Sequence, residues 1–175
     1  MQTPPLPADE QGRLAQLARL SLVEREAPAD LAQLVQVAAG LANVPMAAVT
    51  LVGEQTLHIK SGIGLPATAV PRDVSFCGHL VAQADEMVVP DTALDSRFHD
   101  NPLVLGAPYL KFYAGYPLRG RHGQVYGALC VLDTIPRVLT AKQHTALREL
   151  SHAALRLLEG APAGHGAPRR TRETR

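Results

Sequence analysis

Two apolar runs in the second half of the chain, residues 112–118 (FYAGYPL) and 125–132 (VYGALCVL), are separated by the polar segment Arg119-Gly120-Arg121-His122-Gly123-Gln124. Two β-prone runs joined by a short, glycine-containing polar turn predict an antiparallel hairpin. The second run does not alternate with polar residues, so both of its faces must be covered and it belongs at the centre of a sheet. The rest of the chain then has to supply that cover.

In chain order, Leu14, Leu17, Ala18 and Ser21 share one side at helical spacing and predict a helix over residues 9–24. Asp30 is read as the N-cap of a second helix. Its Leu31, Leu34, Val35, Ala38, Leu41 and Ala42 keep the three-four period until Asn43 and Pro45 stop it. Residues 46–52 are a β-prone run, Gly53-Glu54 a turn, and residues 56–61 an alternating strand with Leu57 and Ile59 opposite Thr56, His58 and Lys60. A loop at 62–73 holds two glycines and two prolines, after which Ser75 caps a short helix with Phe76, Leu80, Val81 and Ala84 on one face.

Residues 87–89 form a short strand. From 90 to 111 there is no sustained period, only a helical turn at 93–98 and breaks at Asn101-Pro102 and Gly106-Ala107-Pro108. Connections this long are uncommon in compact domains and often carry function, which marks this one as the binding loop. After the hairpin, Thr140 and Gln143 have the form of a capping box. Leu147, Leu150, Ala154, Leu157 and Leu158 continue as a stripe up to Gly160. The order of elements predicts an α+β fold, an antiparallel sheet with helices grouped on one face. The first and last helices carry more leucine and alanine than one side of a sheet needs, which predicts a homodimer formed by residues 9–24 and 142–159.

At 175 residues and 46% apolar, the chain suits one domain. That domain is read as residues 9–159, between disordered tails at 1–8 and 160–175. The second tail carries four arginines and one glutamate and leaves the body with 13 basic and 15 acidic residues. With a net charge of +1, nothing in the balance asks for nucleic acid. No window approaches the ~18 uncharged apolar residues of a membrane span, and the N-terminus lacks a basic region and an apolar core. Two cysteines are no disulfide framework and fit a reducing compartment, so the expected location is cytoplasmic.

Cys77 and His79, with Asp91, Asp95 and His99, supply the ligand types of a metal site, yet their spacing matches no zinc pattern and no metal is assigned. A cysteine near a helix N-terminus with histidine close by is a candidate for a lowered thiol pKa, so a redox role for Cys77 is the alternative to packing. Cys130, inside a doubly covered strand, reads as a small core hydrophobe. Asp95, Arg97 and Asn101 either clamp the long loop or present polar groups to a ligand, and Asp133 reads as a turn carboxylate paired with Arg137. Tyr113 and Tyr116 point to opposite faces, and Phe112 or Tyr113 lines the pocket, depending on register. No nucleophile elbow, phosphate loop or HExxH is present, so no catalytic residue is assigned.

Taken together, Phe76-Cys77-Gly78-His79, Val88-Val89-Pro90-Asp91, Asp95-Ser96-Arg97-Phe98, Asn101-Pro102-Leu103-Val104, Lys111-Phe112-Tyr113-Ala114-Gly115, Gly127-Ala128-Leu129-Cys130-Val131-Leu132-Asp133 and Pro136-Arg137 resemble a bacterial GAF domain. The similarity covers residues 13–159 and is to the type found at the front of sensor histidine kinases and diguanylate cyclases. It implies a six-stranded antiparallel sheet, helices behind it at a dimer interface, and a pocket in front closed by the loops at 62–73 and 90–111. It further implies non-catalytic small-molecule sensing in bacterial signal transduction, with output through a downstream kinase or cyclase partner. The motifs of the cyclic-nucleotide-binding and bilin-attaching branches are absent, which leaves the ligand and any cofactor unidentified. A methionine-sulfoxide-reductase-like or redox-sensing protein using Cys77 is the alternative. On this resemblance the candidate ligand-binding residues are Cys77, His79, Asp91, Asp95, Arg97, Phe98, Asn101, Phe112, Tyr113 and Asp133.

Overall fold

The computed structural model of the chain describes residues 1–160. The basic tail expected from residue 160 onward therefore lies, past its first residue, outside the described residues. Helix α1 (Glu10–Arg19) starts where the Asp9 side chain accepts from the Gly12 amide at 3.0 Å. It ends sooner than its leucine spacing predicts, because Ser21 takes a left-handed backbone (φ 50°) and turns the chain. Helix α2 (Ala29–Ala42) begins one residue before its expected cap. Pro28 holds the N-cap position and Asp30 sits in the first turn, where a carboxylate favours the helix dipole. Asn43, left-handed at φ 53°, ends it.

Strands β1 (Met46–Val52) and β2 (Thr56–Ile63) form the first hairpin, and β3 (Ala69–Pro71) adds a short edge to β2. A three-residue strand ending in proline has too few residues to show a period, so the sequence reading placed it inside a loop. Helix α3 (Phe76–Gln83) is capped as predicted, Ser75 Oγ accepting from the Gly78 amide at 3.0 Å. Then follow β4 (Met87–Val89), the single-turn helix α4 (Pro102–Leu105), β5 (Phe112–Arg119), β6 (Val125–Asp133) and α5 (Ala141–Glu159). The predicted capping box opens α5: the Gln143 amide donates to Thr140 Oγ1 at 3.2 Å and the Thr140 amide to Gln143 Oε1 at 2.8 Å.

The six strands order as β3-β2-β1-β6-β5-β4, every neighbouring pair antiparallel. The apolar run predicted to be central is central, and all of β1 and β6 is buried. The two middle strands approach closely: a Cβ at Gly127 would sit 1.9 Å from the Thr50 carbonyl oxygen. Alternation sorts the side chains onto two faces. Ala47, Val49 and Leu51 of β1, Phe112, Ala114, Tyr116 and Leu118 of β5, and Leu129 and Val131 of β6 pack against α2, α5 and Leu17 of α1. Met46, Ala48 and Val52 of β1 with Tyr113, Ala128, Cys130 and Leu132 face the other way, where α3 and the loops cover them.

The N-terminal residues carry no regular structure before Glu10, yet they are not a free tail. The Gln2 carbonyl meets His79 Nε2 at 3.1 Å, and Pro4 lies over Gly78, close enough that a Cβ there would come within 2.7 Å of its ring. Prolines limit the entropy that such a segment loses on docking, which composition alone counted toward disorder.

Candidate functional site

An apolar cavity of about 160 Å³ lies on the face away from α2 and α5. Its floor is the small side chains Ala48, Thr50 and Cys130 with Leu132, all buried. Leu57 and Ile59 form one wall, and Ser75 and Phe76 at the start of α3 form another. Leu65, Pro66, Ala67 and Val70 from the β2–β3 connection and Leu103, Ala107, Pro108 and Leu110 from the long loop close it over. Pro66, Ala67 and Ala107 are exposed and frame the mouth. Both loops expected to close the pocket do so, but the floor is β1 and β6 rather than β5 and β6. Over β5 the space is taken by α3: a Cβ on Gly115 would lie 2.6 Å from Leu80 Cδ1 and 2.3 Å from Tyr113 Oη.

None of the ten candidate ligand-binding residues lines this cavity; of them, Cys77, Phe98 and Tyr113 join the buried cluster that also holds its floor. Phe112 faces the helix side, so Tyr113 is the ring on the pocket face. Tyr113 nevertheless stays under α3, tilted against Phe76 at 5.2 Å between centroids. Phe98 is fully buried and stacks on Phe76 at 4.0 Å, with His79 edge-on to it at 4.9 Å. Arg97 forms the fork that Asp95 invites, Nε to Oδ1 at 3.0 Å and Nη2 to Oδ2 at 2.7 Å, and lies over the Phe98 ring. Asp91 caps the turn at Thr92–Leu94 by accepting from the Ala93 amide at 3.0 Å.

Asn101 accepts from the Leu103 amide at 2.9 Å, capping α4, and donates to the Val74 carbonyl at 3.0 Å. Asp133 accepts from the Thr134 amide at 2.6 Å and pairs with Arg137, the turn role already expected. These polar residues are spent on the protein itself, because a loop of this length needs its buried backbone groups satisfied. Among the described residues no cluster of three or more His, Cys, Asp or Glu is placed to hold a metal ion.

Burial and neighbouring side chains set the ionisation of the buried groups. The Cys77 thiol is pulled down, first by the Cys130 side chain and then by Thr50 and Tyr113, against an opposing push from burial. Cys130 is pushed up by its pairing with Cys77 and by burial. Burial lowers His79, so the ring that meets the Gln2 carbonyl favours its neutral form.

The family model for the GAF domain matches residues 28–159, which takes in everything from the start of α2 to the end of α5. The chain belongs to the GAF domain family. A cyclic di-GMP phosphodiesterase of Pseudomonas aeruginosa is 36% identical over 149 residues, 85% of this GAF protein. The chain spans about a quarter of that relative's length. Among solved structures, the GAF domain of an Acinetobacter phosphoenolpyruvate-protein phosphotransferase superposes with a TM-score of 0.62 at 17% identity, covering 84% of this chain and 92% of that one. A free methionine-R-sulfoxide reductase of Neisseria meningitidis, in complex with its substrate, does so with 0.62 at 20% identity over 91% and 96%. At these identities the likeness is one of fold. The family places the chain among signalling-related domains, and no helix among the described residues is long and apolar enough to cross a membrane.

The cavity residues escaped the sequence reading for a specific reason. Ala48 and Thr50 are small and share a face of β1, as do Cys130 and Leu132 on β6, a pattern visible in the alternation. Only the register that sets Ala48 beside Cys130 turns them into one floor.

Proposed function

We propose that this GAF protein is the sensory domain of a bacterial signalling system, non-catalytic, binding a compact apolar molecule in the cavity above Ala48, Thr50 and Cys130. The observation that carries this reading is an apolar cavity of about 160 Å³ roofed by two loops. An apolar protein cavity of about 150 Å³ stays dry and takes benzene-sized guests. Among the described residues no lysine or arginine lines it, so a phosphate placed there would lose its hydration with no ion partner in return. Cyclic di-GMP is therefore not its ligand, although the phosphodiesterase relative suggests an output domain of that kind as partner, beside the kinase or cyclase expected from the sequence. A homodimer transmits the signal.

Methyl-resolved NMR tests the reading. Benzene should shift the methyls of Ala48, Thr50, Ile59 and Leu132 saturably and leave those of Leu129 and Val131, on the other face, in place. Ala48→Phe should fill the cavity and abolish the shifts while the fold persists. Uniform small shifts on both faces, or saturable shifts with cyclic di-GMP at the same methyls, would refute it.

A further inference from the structure

A single residue of the N-terminal segment joins two parts of the cavity's enclosure. Gln2 donates its amide to the Arg97 carbonyl at 3.5 Å, and its own carbonyl lies 3.1 Å from His79 Nε2. A carbonyl only accepts, so that ring nitrogen is the donor. Arg97 belongs to the long loop, whose Leu103, Ala107, Pro108 and Leu110 roof the cavity; His79 belongs to α3, whose first residue, Phe76, is part of the wall. Between them lies Phe98, stacked on Phe76 at 4.0 Å and met edge-on by His79 at 4.9 Å. Contacts therefore run from Arg97 through its neighbour Phe98 to Phe76 and His79, and Gln2 closes this ring from outside.

The segment is held without being buried. Of residues 2–7 only Pro4 and Pro7 are half-buried, and the rest are exposed. Crevices of about 430 Å³ and about 300 Å³ remain beside it, one shared with Gln55, Pro71 and Asp73 and the other with Ala82 and Gln83. Few contacts have to break for such a segment to leave, which puts it at the low-stability end of the domain. Its three prolines limit the entropy lost when it docks again.

We propose that residues 2–7 form a releasable strap that gates the cavity. Docked, the strap ties the long loop to α3 and keeps the roof against the wall at Phe76. Released, it lets the long loop lift from Phe76, and a guest passes in or out. The docking of the strap thus sets how fast the cavity fills and empties, while the buried anchors of the long loop keep the closed form dominant. This inference rests on the cavity admitting small apolar molecules, as the sensing role does.

The test uses two full-length variants. Pro4→Gly with Pro5→Gly and Pro7→Gly keeps the strap's length but removes its stiffness and the ring over Gly78. His79→Phe keeps an aromatic edge against Phe98 but removes the donor to Gln2. NMR line shapes of the Ala48 and Ile59 methyls during a benzene titration give the binding rates, and amide hydrogen exchange without ligand reads the loop. Both variants should speed benzene association and dissociation roughly tenfold, about the worth of one or two net hydrogen bonds. Residues 95–104 and the start of α3 should exchange faster while β6 stays protected. Thermal melts identify a variant that fails to fold, and Gln2→Pro, which removes the amide donor, then replaces it. Wild-type rates in both variants, or acceleration spread evenly into β6, would overturn the proposal. Benzene that binds with unchanged rates sinks the strap alone. If benzene fails to bind the wild type, the sensing role falls, and hydrogen exchange by itself decides the strap: selective acceleration of residues 95–104 supports it, and unchanged protection overturns it.

Discussion

Arg13, in the first helix, donates from Nη1 to the carbonyl oxygen of Val52 at 2.7 Å, from a position only 2% exposed. Glu10 accepts from Arg13 Nε and Nη2 at 2.9 Å each and also pairs with Arg72, which in turn donates to the Gly53 carbonyl at 2.9 Å. One carboxylate between two guanidiniums thus ties α1 to the β1–β2 turn and to the turn before α3. Removing one partner of a buried pair leaves charge unpaired, so Arg13→Ala should destabilise by about 3 kcal/mol in urea unfolding. Arg13→Lys, which cannot reproduce the fork, should recover less than half of that.

The same network gives the domain an acid dependence. Burial would raise the Glu10 pKa, but hydrogen bonds from Arg13 and Arg72 outweigh it and hold the group at about 2. A depressed carboxylate stabilises fully above its unfolded value of 4.5, and that contribution is lost as pH falls toward 2. The urea midpoint should therefore drop across this window. Glu10→Gln should be less stable at neutral pH and show a flatter profile there; parallel profiles would show that Glu10 titrates normally.

Hydrogen exchange should rank the two cavity loops. The long loop carries buried Thr92, Phe98, Asn101, Val104 and Leu110, with backbone hydrogen bonds from Thr92 to Lys111 and from Leu110 to Leu103. In the β2–β3 connection, Pro66, Ala67 and Thr68 are exposed. Residues 64–68 should exchange first, residues 90–111 later and β6 last. Equal exchange of both loops would show that the buried anchors do not hold.

Asn101→Ala should cost 1–3 kcal/mol, roughly the penalty for losing a cap and leaving the Val74 carbonyl unpaired at a site 1% exposed. The loss should appear in thermal melts and speed exchange in residues 90–111 while β1 stays protected. Uniform acceleration would show that Asn101 supports the whole fold instead.

The protein's own core competes for the residues of the expected dimer face. Leu17 of α1 and Leu147, Ala154, Leu155 and Leu158 of α5 are consumed by the protein's own core. Val37 and Leu41, one turn apart on α2, are 51% and 40% exposed and remain available. Val37→Glu with Leu41→Glu should turn a dimer into a folded monomer in light scattering, whereas Leu17→Glu should unfold the chain. A wild type that is monomeric at high concentration would end the dimer proposal.

Local chemistry was legible without coordinates. The turn at Arg119–Gln124, the Ser75 cap, the capping box of Thr140 and Gln143 and the doubly covered β6 each depend on residues close in sequence, and each stands where its pattern put it. The candidate site was legible only as a neighbourhood. Polar residues in an irregular loop look the same whether they face a ligand or hold the loop, and Asp95, Arg97 and Asn101 hold the loop.

What the sequence determined by itself was the elements other than β3 and α4, the α+β class and the family, because periodicity, caps and turns act over a few residues and several matching segments in order identify one fold. The tertiary structure alone decided where the cavity lies and what it contains. Pairing Ala48 with Cys130 and folding the two loops over them joins positions far apart in the chain. A strand slipped by one residue would have turned every one of those side chains to the opposite face.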